Sequence, residues 1–479
     1  MSVTLTESRS TPRRWWVFLL PIVLVLFLIV AVVAGPRLIQ AHPDLVTNTV
    51  DRVREIVGPA PVAVVETAYY QVVDQYNRLH YRITGQSDTW QLAAPMTTPA
   101  GALPGAALAG AAATQTISPA RAAVVQRELT ALAKPTTRPG SGQKTATPQK
   151  PAAQVPVIVR PGTPTLAPTP AATPVPTVDF QPPASLDPII KTPALSGEGV
   201  WQPLTTLGQP AGEPPILWQT IFRPDPDRPF AQVALVAMDL SRSRLNIVVG
   251  TKEPASDVPA NGLRTGVIPA DVQSGGELLA AWNGGFKAVH GHYGMMTDGV
   301  VWLPAKDGLA TAAVNNDGQL TLGAWGRGVK PDGAWSAWRQ NNPPLIEKGV
   351  VNPDVVKLAN TIRWGASLSG AVFIWRSGMG VTPDGRWLIY AAGNPLSVQT
   401  LTAALQAAGA TDAMQLDVNM TFEQYYTFLD QPQTVQVAAQ DVALPITGVK
   451  LIKQMQGKPD HFLVPHDRDF FYLTYRTGP

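Results

Sequence analysis

Residues 91–190 form a long stretch dominated by Pro, Ala, Thr and Gly, and this stretch limits where the chain can build a core. A segment of this composition buries too little apolar surface to offset the entropy that it loses on ordering. It therefore predicts a disordered Pro-rich linker without catalytic groups. The folded part is expected at residues 191–479, as one domain, although the chain is 479 residues long.

The charged residues are distributed unevenly along the chain. Residues 1–190 carry 15 Lys/Arg and 10 Asp/Glu, a net charge of +5, whereas residues 191–479 carry 22 and 24, a net charge of −2. The expected domain is thus near neutral and has no basic stripe interleaved with aromatics, so we expect no nucleic-acid partner. The chain has no Cys, which excludes disulfides, thiolate metal sites and a cysteine nucleophile.

An uncharged apolar run extends from Trp15 to Ala34, and Arg9, Arg13 and Arg14 precede it. Its length matches the hydrocarbon thickness of a bilayer, and the positive flank is expected to stay in the cytoplasm. The pattern predicts a cytoplasmic tail at 1–14, a transmembrane anchor at 15–35, and a single-pass cell-membrane protein with its C-terminal domain extracytoplasmic. A cleaved signal peptide is the alternative, because small residues at 31–34 fit a cleavage site.

Residues 36–90 are expected to form a helical juxtamembrane stub. Between 61 and 84 the apolar residues recur at helical spacing and fall on one stripe: Val65, Tyr69, Val72, Val73, Tyr76, Leu79 and Ile83. Such a helix buries its stripe on itself, on the membrane surface or on a second copy. Self-association through 61–84 is therefore one expected role.

The segment after the linker is rich in strand signals. Apolar runs with β-branched and aromatic residues occur at 216–222, 231–239, 244–250, 299–303, 311–315, 319–323 and 387–391, and many are bounded by Asp-Gly turns. One helix is indicated after Ser397 and ends at Gly409. The predicted fold class is α+β, a β-rich mixed-sheet domain with few helices, preceded by a transmembrane helix and a disordered Pro-rich linker.

An apolar run at 279–282 ends in Asn283, Gly284 and Gly285. Paired glycines let a ligand approach the backbone without a Cβ in the way, and the strand delivers an amide side chain to the same point. The structural alternative is a tight turn between two strands.

Three motifs in this segment resemble the phosphodiester glycosidase domain family. Asn283-Gly284-Gly285-Phe286 is similar to the family's Asn-Gly-Gly-Phe signature, and 376–385 resembles its Arg-x-x-x-Gly-x-x-x-Asp-Gly hairpin. The helix and strand at 401–417 resemble the segment that leads to the family's Leu-Asp-Gly-Gly-Gly-Ser. The motifs follow the family order, and the resemblance spans about 215–430.

This resemblance implies a membrane-anchored extracytoplasmic hydrolase that cleaves sugar–phosphate linkages in envelope or extracellular glycans. Cleavage at the anomeric carbon requires a carboxylate, and a guanidinium suits the phosphate oxygens. Asp417 is the candidate base or nucleophile, and Arg376 is the candidate phosphate clamp. Asn283, with the N–H groups of Gly284 and Gly285, would bind sugar hydroxyls or phosphate oxygens.

Further substrate-binding candidates are His290, His292 and Asn419. The two His residues are two positions apart, so on a strand they would face the same side. Two imidazoles without a nearby carboxylate make an incomplete metal site, and we expect neither a metal nor a cofactor.

The loop after Asp417 leaves a second function open. Val418, Asn419, Met420 and Thr421 stand where the family has a glycine run and a Ser. Bulky side chains there favour the alternative of a catalytically inactive glycan-binding or structural surface module on the same fold.

Overall fold

The computed structural model describes only part of the chain: Thr49, residues 52–53 and 56–85, Leu92, residues 180–357, Trp364, and residues 373–418 and 422–476. The predicted tail (1–14), the predicted membrane segment (15–35) and the linker up to residue 179, apart from Leu92, lie outside these residues. Within the described part, no helix is both long and apolar enough to cross a membrane.

Helices are few in the described residues. They are α1 (Pro59–Thr84), α2 (Ala270–Gly275), α3 (Pro353–Val356) and α4 (Val398–Ala407). The start of α4 was predicted at Ser397, and it has the expected capping chemistry: the Ser397 hydroxyl accepts from the Thr400 N–H at 3.2 Å, and the Thr400 hydroxyl accepts from the Ser397 N–H at 2.9 Å.

Strands make up most of the regular structure. In chain order they are β1 (Gln202–Pro203), β2 (Leu217–Phe222), β3 (Val233–Asp239), β4 (Ser243–Val248), β5 (Leu278–Asn283), β6 (Met295–Thr297), β7 (Val300–Leu303), β8 (Ala310–Asn315), β9 (Leu320–Ala324), β10 (Trp335–Gln340), β11 (Ile346–Glu347), β12 (Val350–Val351), β13 (Ile374–Val381), β14 (Trp387–Leu396), β15 (Asp412–Gln415), β16 (Tyr425–Leu429), β17 (Gln433–Val437), β18 (Gln440–Leu444), β19 (Thr447–Lys450) and β20 (Phe470–Tyr475). The prediction of a β-rich domain with few helices is confirmed.

The strands form three large sheets and a separate hairpin. Their orders are β1-β2-β3-β14-β13-β15-β11-β12, β7-β6-β10-β8-β9 and β19-β16-β5-β20-β4, with β17-β18 as the hairpin. The expectation of mixed sheets is wrong, because every strand pair in the described residues is antiparallel. The helix α4 does connect strands of equal direction, β14 and β15, but β13 lies between them and pairs antiparallel with both.

An aromatic group joins the sheet that contains β5 to the eight-stranded sheet. The Trp282 ring is stacked on Tyr425 and on Phe471 at centroid distances of 5.9 and 5.8 Å. Tyr390 of β14 lies 6.3 Å from the same indole and 4.9 Å from Tyr425. These buried rings fix the end of β5 against the centre of the eight-stranded sheet.

The predicted helix at 61–84 is present as α1, and it contacts the domain through polar and aromatic residues. Asp74 accepts two hydrogen bonds from the Arg228 guanidinium, at 2.8 and 2.9 Å, and Tyr81 lies 5.9 Å from the Phe230 ring. The apolar stripe is largely turned away from the domain. Exposed residues on this stripe are Val65, Tyr76, Leu79 and Ile83. Self-association through this stripe stays a prediction.

Candidate functional site

A narrow cleft lies where the three large sheets meet. Its lining residues come from the end of β5, the segment after β15, and the segments that precede β16 and β20: Asn283, Gly284, Gly285, Asp417, Phe422, His461, Phe462, His466, Arg468 and Asp469. The free space is about 10 Å³, which is room for about one water molecule. Asn283, Gly284, Gly285 and Asp417, all singled out from the sequence, thus lie together.

Asn283 is 4% exposed, and its side-chain amide joins two sheets. Its Nδ2 donates to the Ser377 hydroxyl at 2.9 Å. Its Oδ1 accepts from the Tyr390 hydroxyl at 3.0 Å and from the Gln424 N–H at 3.2 Å. The amide therefore positions β13, β14 and the segment before β16, in addition to lining the cleft.

Gly284 and Gly285 pack directly against Asp469. The Gly284 N–H donates to the Asp469 carbonyl at 3.0 Å, and the Gly285 N–H donates to its carboxylate at 2.8 Å. A Cβ on Gly284 would lie 2.1 Å from that carboxylate, and one on Gly285 would lie 2.6 Å from the Arg339 guanidinium. Glycine is needed at both positions because the backbone packs too closely against Asp469 and Arg339 to leave room for a Cβ. In this arrangement both N–H groups donate hydrogen bonds to Asp469.

Asp469 forms a buried ion pair with Arg339 of β10. The Arg339 Nε donates to Asp469 at 2.8 Å, and a second guanidinium nitrogen donates at 3.2 Å. The same guanidinium also donates to the carbonyls of Phe286, Tyr293 and Gln340. Because each partner is hydrogen-bonded on several sides, this pair is a fixed part of the cleft wall.

The Asp417 carboxylate lies in the cleft and accepts a hydrogen bond from Arg468. Arg468 also donates to the Gly285 carbonyl at 2.7 Å, and its guanidinium lies 4.5 Å from the centre of the Phe422 ring. The Asp417 backbone is held on both sides: its N–H donates to the Gly284 carbonyl at 3.2 Å, and its carbonyl accepts from the Ser377 hydroxyl at 3.0 Å. A carboxylate and a guanidinium therefore meet at fixed positions.

Arg376, the expected phosphate clamp, lies behind the cleft wall and is not among the lining residues. It is 1% exposed and donates to the carbonyls of Leu396 and Trp364 and to the Gln415 side chain, at 2.8 to 3.1 Å. Burial lowers the pKa of Arg376 to about 10. In this arrangement the guanidinium that reaches the cleft is that of Arg468.

Glu423 is a buried carboxyl group next to the site. It is fully buried, and neither of its oxygens accepts a hydrogen bond from any residue that the structure describes. Burial raises the pKa of Glu423 well above its ordinary value; the Asp417 charge raises it further, and Arg376 opposes the shift. Burial therefore favours the neutral, protonated form of Glu423 beside the Asp417 carboxylate.

Two imidazoles complete the lining. The rings of His461 and His466 are 4.3 Å apart. Burial lowers the pKa of both, and for His461 the field of His466 adds to the shift. The Nδ1 of His466 lies 3.2 Å from the Arg468 backbone nitrogen and 3.4 Å from the Arg468 carbonyl oxygen, so it accepts from the first or donates to the second according to the tautomer.

His290 and His292 do not line this cleft. His290 and His292 were expected on one strand; instead they lie in and just after a 3₁₀ turn, Ala288–His290, and both are exposed. Asn419 lies outside the described residues, and its role stays a prediction. Among the residues described, no group of three or more His, Asp or Glu side chains could hold a metal ion.

The sequence did not identify five residues of this region: Arg468, Asp469, His461, His466 and Arg339. The dense run His466-Asp467-Arg468-Asp469 directly before an aromatic strand was the available signal, because charges rarely border a buried strand without partners.

No protein-family model and no curated protein matches the sequence. Three solved structures are weakly similar. The catalytic domain of zebrafish N-acetylglucosamine-1-phosphodiester alpha-N-acetylglucosaminidase, auto-inhibited by its pro-peptide, is 12% identical over 57% of this chain and 87% of its own, with a TM-score of 0.32. A hypothetical protein from Synechocystis is 11% identical over 56% and 65%, with a TM-score of 0.28. A putative exported protein from Burkholderia pseudomallei is 11% identical over 51% and 74%, with a TM-score of 0.27. At these TM-scores the likeness carries no argument, and the function must be argued from the site.

Proposed function

We propose that the domain hydrolyses sugar–phosphate diester linkages of envelope or extracellular glycans, with Asp417 and Arg468 as the reacting pair. The observation that carries this proposal is the contact between the Asp417 carboxylate and the Arg468 guanidinium in a cleft, beside a carboxyl group whose pKa is raised by burial. A guanidinium suits phosphate oxygens, and a carboxylate suits the cationic anomeric centre of the transition state.

In the proposed reaction the substrate phosphate takes the place of the Asp417 carboxylate at Arg468, which frees Asp417 to act as a base. Asp417 then removes a proton from water, and the water oxygen forms a bond to the anomeric carbon. The bond between that carbon and the phosphate oxygen breaks, and the phosphate monoester leaves with the electron pair. Arg468 offsets the charge of the leaving group.

Neutral Glu423 has a supporting role in this scheme. It is not among the residues that line the cleft, so it does not touch the substrate. Because it is protonated, it places no second negative charge beside Asp417, and the region stays able to accept a phosphate. The buried Arg376 contributes positive potential from behind the wall.

The test is the release of phosphate monoester from methyl diesters of α- and β-linked hexose 1-phosphates by the full-length protein. We expect Asp417→Asn to lower turnover by about 100-fold or more. Asp467→Asn is the matched control, because Asp467 is 54% exposed and pairs with Lys252 at the surface. Equal turnover in the wild type and Asp417→Asn would overturn the proposal.

One observation favours the alternative of an inactive glycan-binding module. The cleft has room for about one water molecule, and the N–H groups of both glycines are already bonded to Asp469. A module of this kind would bind a non-hydrolysable phosphonate analogue of the diester but release no product from the diester itself. Binding and turnover measured on the same sample therefore separate the two functions.

A further inference from the structure

A second, larger cavity is lined by residues of β4 and by Tyr472 of β20, and it shares no lining residue with the cleft. Its volume is about 390 Å³, within the range of small-molecule sites. The cavity, called here the β4 cavity, lies between the edge strand β4 and the turns of the sheet that contains β8 and β10. The segment at 262–269 forms part of its wall.

One wall of the β4 cavity is formed by polar side chains that lie on the same face of β4 and β20. Side chains two positions apart on a strand share a face, so Arg244 and Asn246 point the same way along β4. Tyr472 of β20 is paired with Asn246 in the sheet register. A guanidinium, an amide and a phenol are thereby placed side by side.

Tyr472 contributes a phenol hydroxyl to the lining of the cavity. Tyr472 is 7% exposed, yet its hydroxyl makes no hydrogen bond to the residues that the structure describes, and the residue lines the cavity. Burial, followed by the fields of Asp271 and Asp298, raises its pKa to about 12, so the phenol keeps its proton. This hydroxyl is not enclosed by the described residues, so it is open to a ligand oxygen in the cavity.

The opposite wall supplies complementary groups. Asp298, in the turn between β6 and β7, offers a carboxylate, and Asn316, in the turn between β8 and β9, offers an exposed amide. Leu263 and Val267 add an apolar surface, and Leu263 is 48% exposed. Donors, acceptors and aliphatic groups thus surround one space.

This lining selects the class of ligand. An anion such as phosphate is disfavoured, because Asp298 offsets the single guanidinium of Arg244. A purely apolar ligand would leave the phenol and both amides without partners. We propose that the β4 cavity binds one or two neutral sugar units of a glycan chain, at a site separate from the cleft of Asp417. The sugar hydroxyls would donate to Asp298 and accept from Tyr472, Arg244 and Asn246.

The inference is tested by saturation-transfer NMR and calorimetry on the full-length protein, with N-acetylglucosamine, glucose and their β-1,4 disaccharides as probes. We expect at least one of these sugars to bind, and Tyr472→Phe to weaken its binding by about tenfold. The matched control is Tyr475→Phe on the same strand, since the Tyr475 hydroxyl bonds to Glu213 and not to the cavity. Thermal unfolding of both variants checks that they fold.

The outcomes separate this site from the proposed hydrolytic one. Asp417→Asn is expected to leave sugar binding at the β4 cavity unchanged, whether or not the cleft is catalytic. The inference is overturned if no probe sugar binds, if Tyr472→Phe binds as tightly as the wild type, if Tyr475→Phe weakens binding equally, or if Asp417→Asn alone abolishes binding. It is also overturned if inorganic phosphate displaces the bound sugar.

Discussion

Arg468 donates a hydrogen bond to Asp417, and this contact joins the segment before β20 to the segment after β15, which belong to two different sheets. Arg468 also reaches the Gly285 carbonyl at the end of β5. One guanidinium therefore ties together the segments that form the cleft. The geometry of the site depends on the same contacts that hold the sheets in place.

Replacing Gly285 tests this packing. In Gly285→Ala the added Cβ would lie 2.6 Å from the Arg339 guanidinium, which is itself fixed by Asp469. We expect the free energy of unfolding to fall by about 1–3 kcal/mol, as for other overpacked cores. Chemical denaturation of Gly275→Ala provides the control, because nothing lies within 4 Å of that Cβ. Equal stability of the two variants would show that the Gly285 backbone does not need close approach.

Glu423 predicts a specific dependence of stability on pH. The pKa of Glu423 is higher in the folded state than in the unfolded state, where it is about 4.3. Its contribution to stability is therefore fully present below the unfolded pKa and is lost as pH rises through the folded pKa. Glu423→Gln has no titrating group at this position, so the variant does not lose stability in this way. We expect the free energy of unfolding of the variant to rise by about 1–3 kcal/mol relative to that of the wild type between pH 4 and pH 8. Over this range the wild-type Glu423 either carries a buried charge or releases its proton only on unfolding, and both effects favour the unfolded state.

Glu347→Gln is the control for that measurement, because its pKa shift has the opposite sign. A hydrogen bond from Arg327 lowers the pKa of Glu347, so its stabilisation is present above the unfolded pKa and is lost as pH falls. Urea unfolding at a series of pH values measures both effects. As pH rises, the free energy of unfolding of Glu423→Gln should increase relative to that of the wild type, and that of Glu347→Gln should decrease. A pH-independent difference for Glu423→Gln would contradict a raised pKa.

The contact between α1 and the domain depends on Asp74 and Arg228. In Arg228→Ala the buried Asp74 carboxylate keeps its ion pair with Arg78 on the same helix but loses its ion pair with the domain. We expect the amides of α1 to exchange with solvent at least tenfold faster in this variant, while the amides of β13 and β14 are unchanged. Arg327→Ala, which removes a more exposed ion pair with Glu347, should leave α1 exchange as in the wild type. Unchanged exchange in Arg228→Ala would show that other contacts hold the helix.

Local patterns in the sequence predicted the elements that depend on neighbouring residues. The Asp-Gly turn at Asp384, the Ser397 cap and the strand at Asp412–Gln415 all follow from short-range chemistry. The meeting of Asn283 with Asp417 was expected through the resemblance of three ordered motifs, and the two residues do line one cleft.

The partners of these residues could not be read from local patterns. Asp469 meets Gly285 across 184 positions, and Arg339 meets Asp469 across 130, so the pairing depends on how the sheets pack. Arg376 was predicted as a phosphate clamp from the resemblance of 376–385 and from the fit of a guanidinium to phosphate oxygens, and neither indicates whether the side chain is buried. Here β13 is a central strand between β14 and β15, and the side chain is enclosed.

In the proposed reaction Arg468 holds the phosphate of the substrate while Asp417 acts at the anomeric carbon. The most direct measurement is the ratio of kcat/KM for a hexose-1-phosphate methyl diester to that for an aryl glycoside of the same sugar. The ratio is compared among the wild type, Arg468→Gln and Arg468→Lys. We predict that Arg468→Gln lowers this ratio by about 100-fold or more and that Arg468→Lys restores part of it. A ratio that is the same in all three proteins would contradict the account.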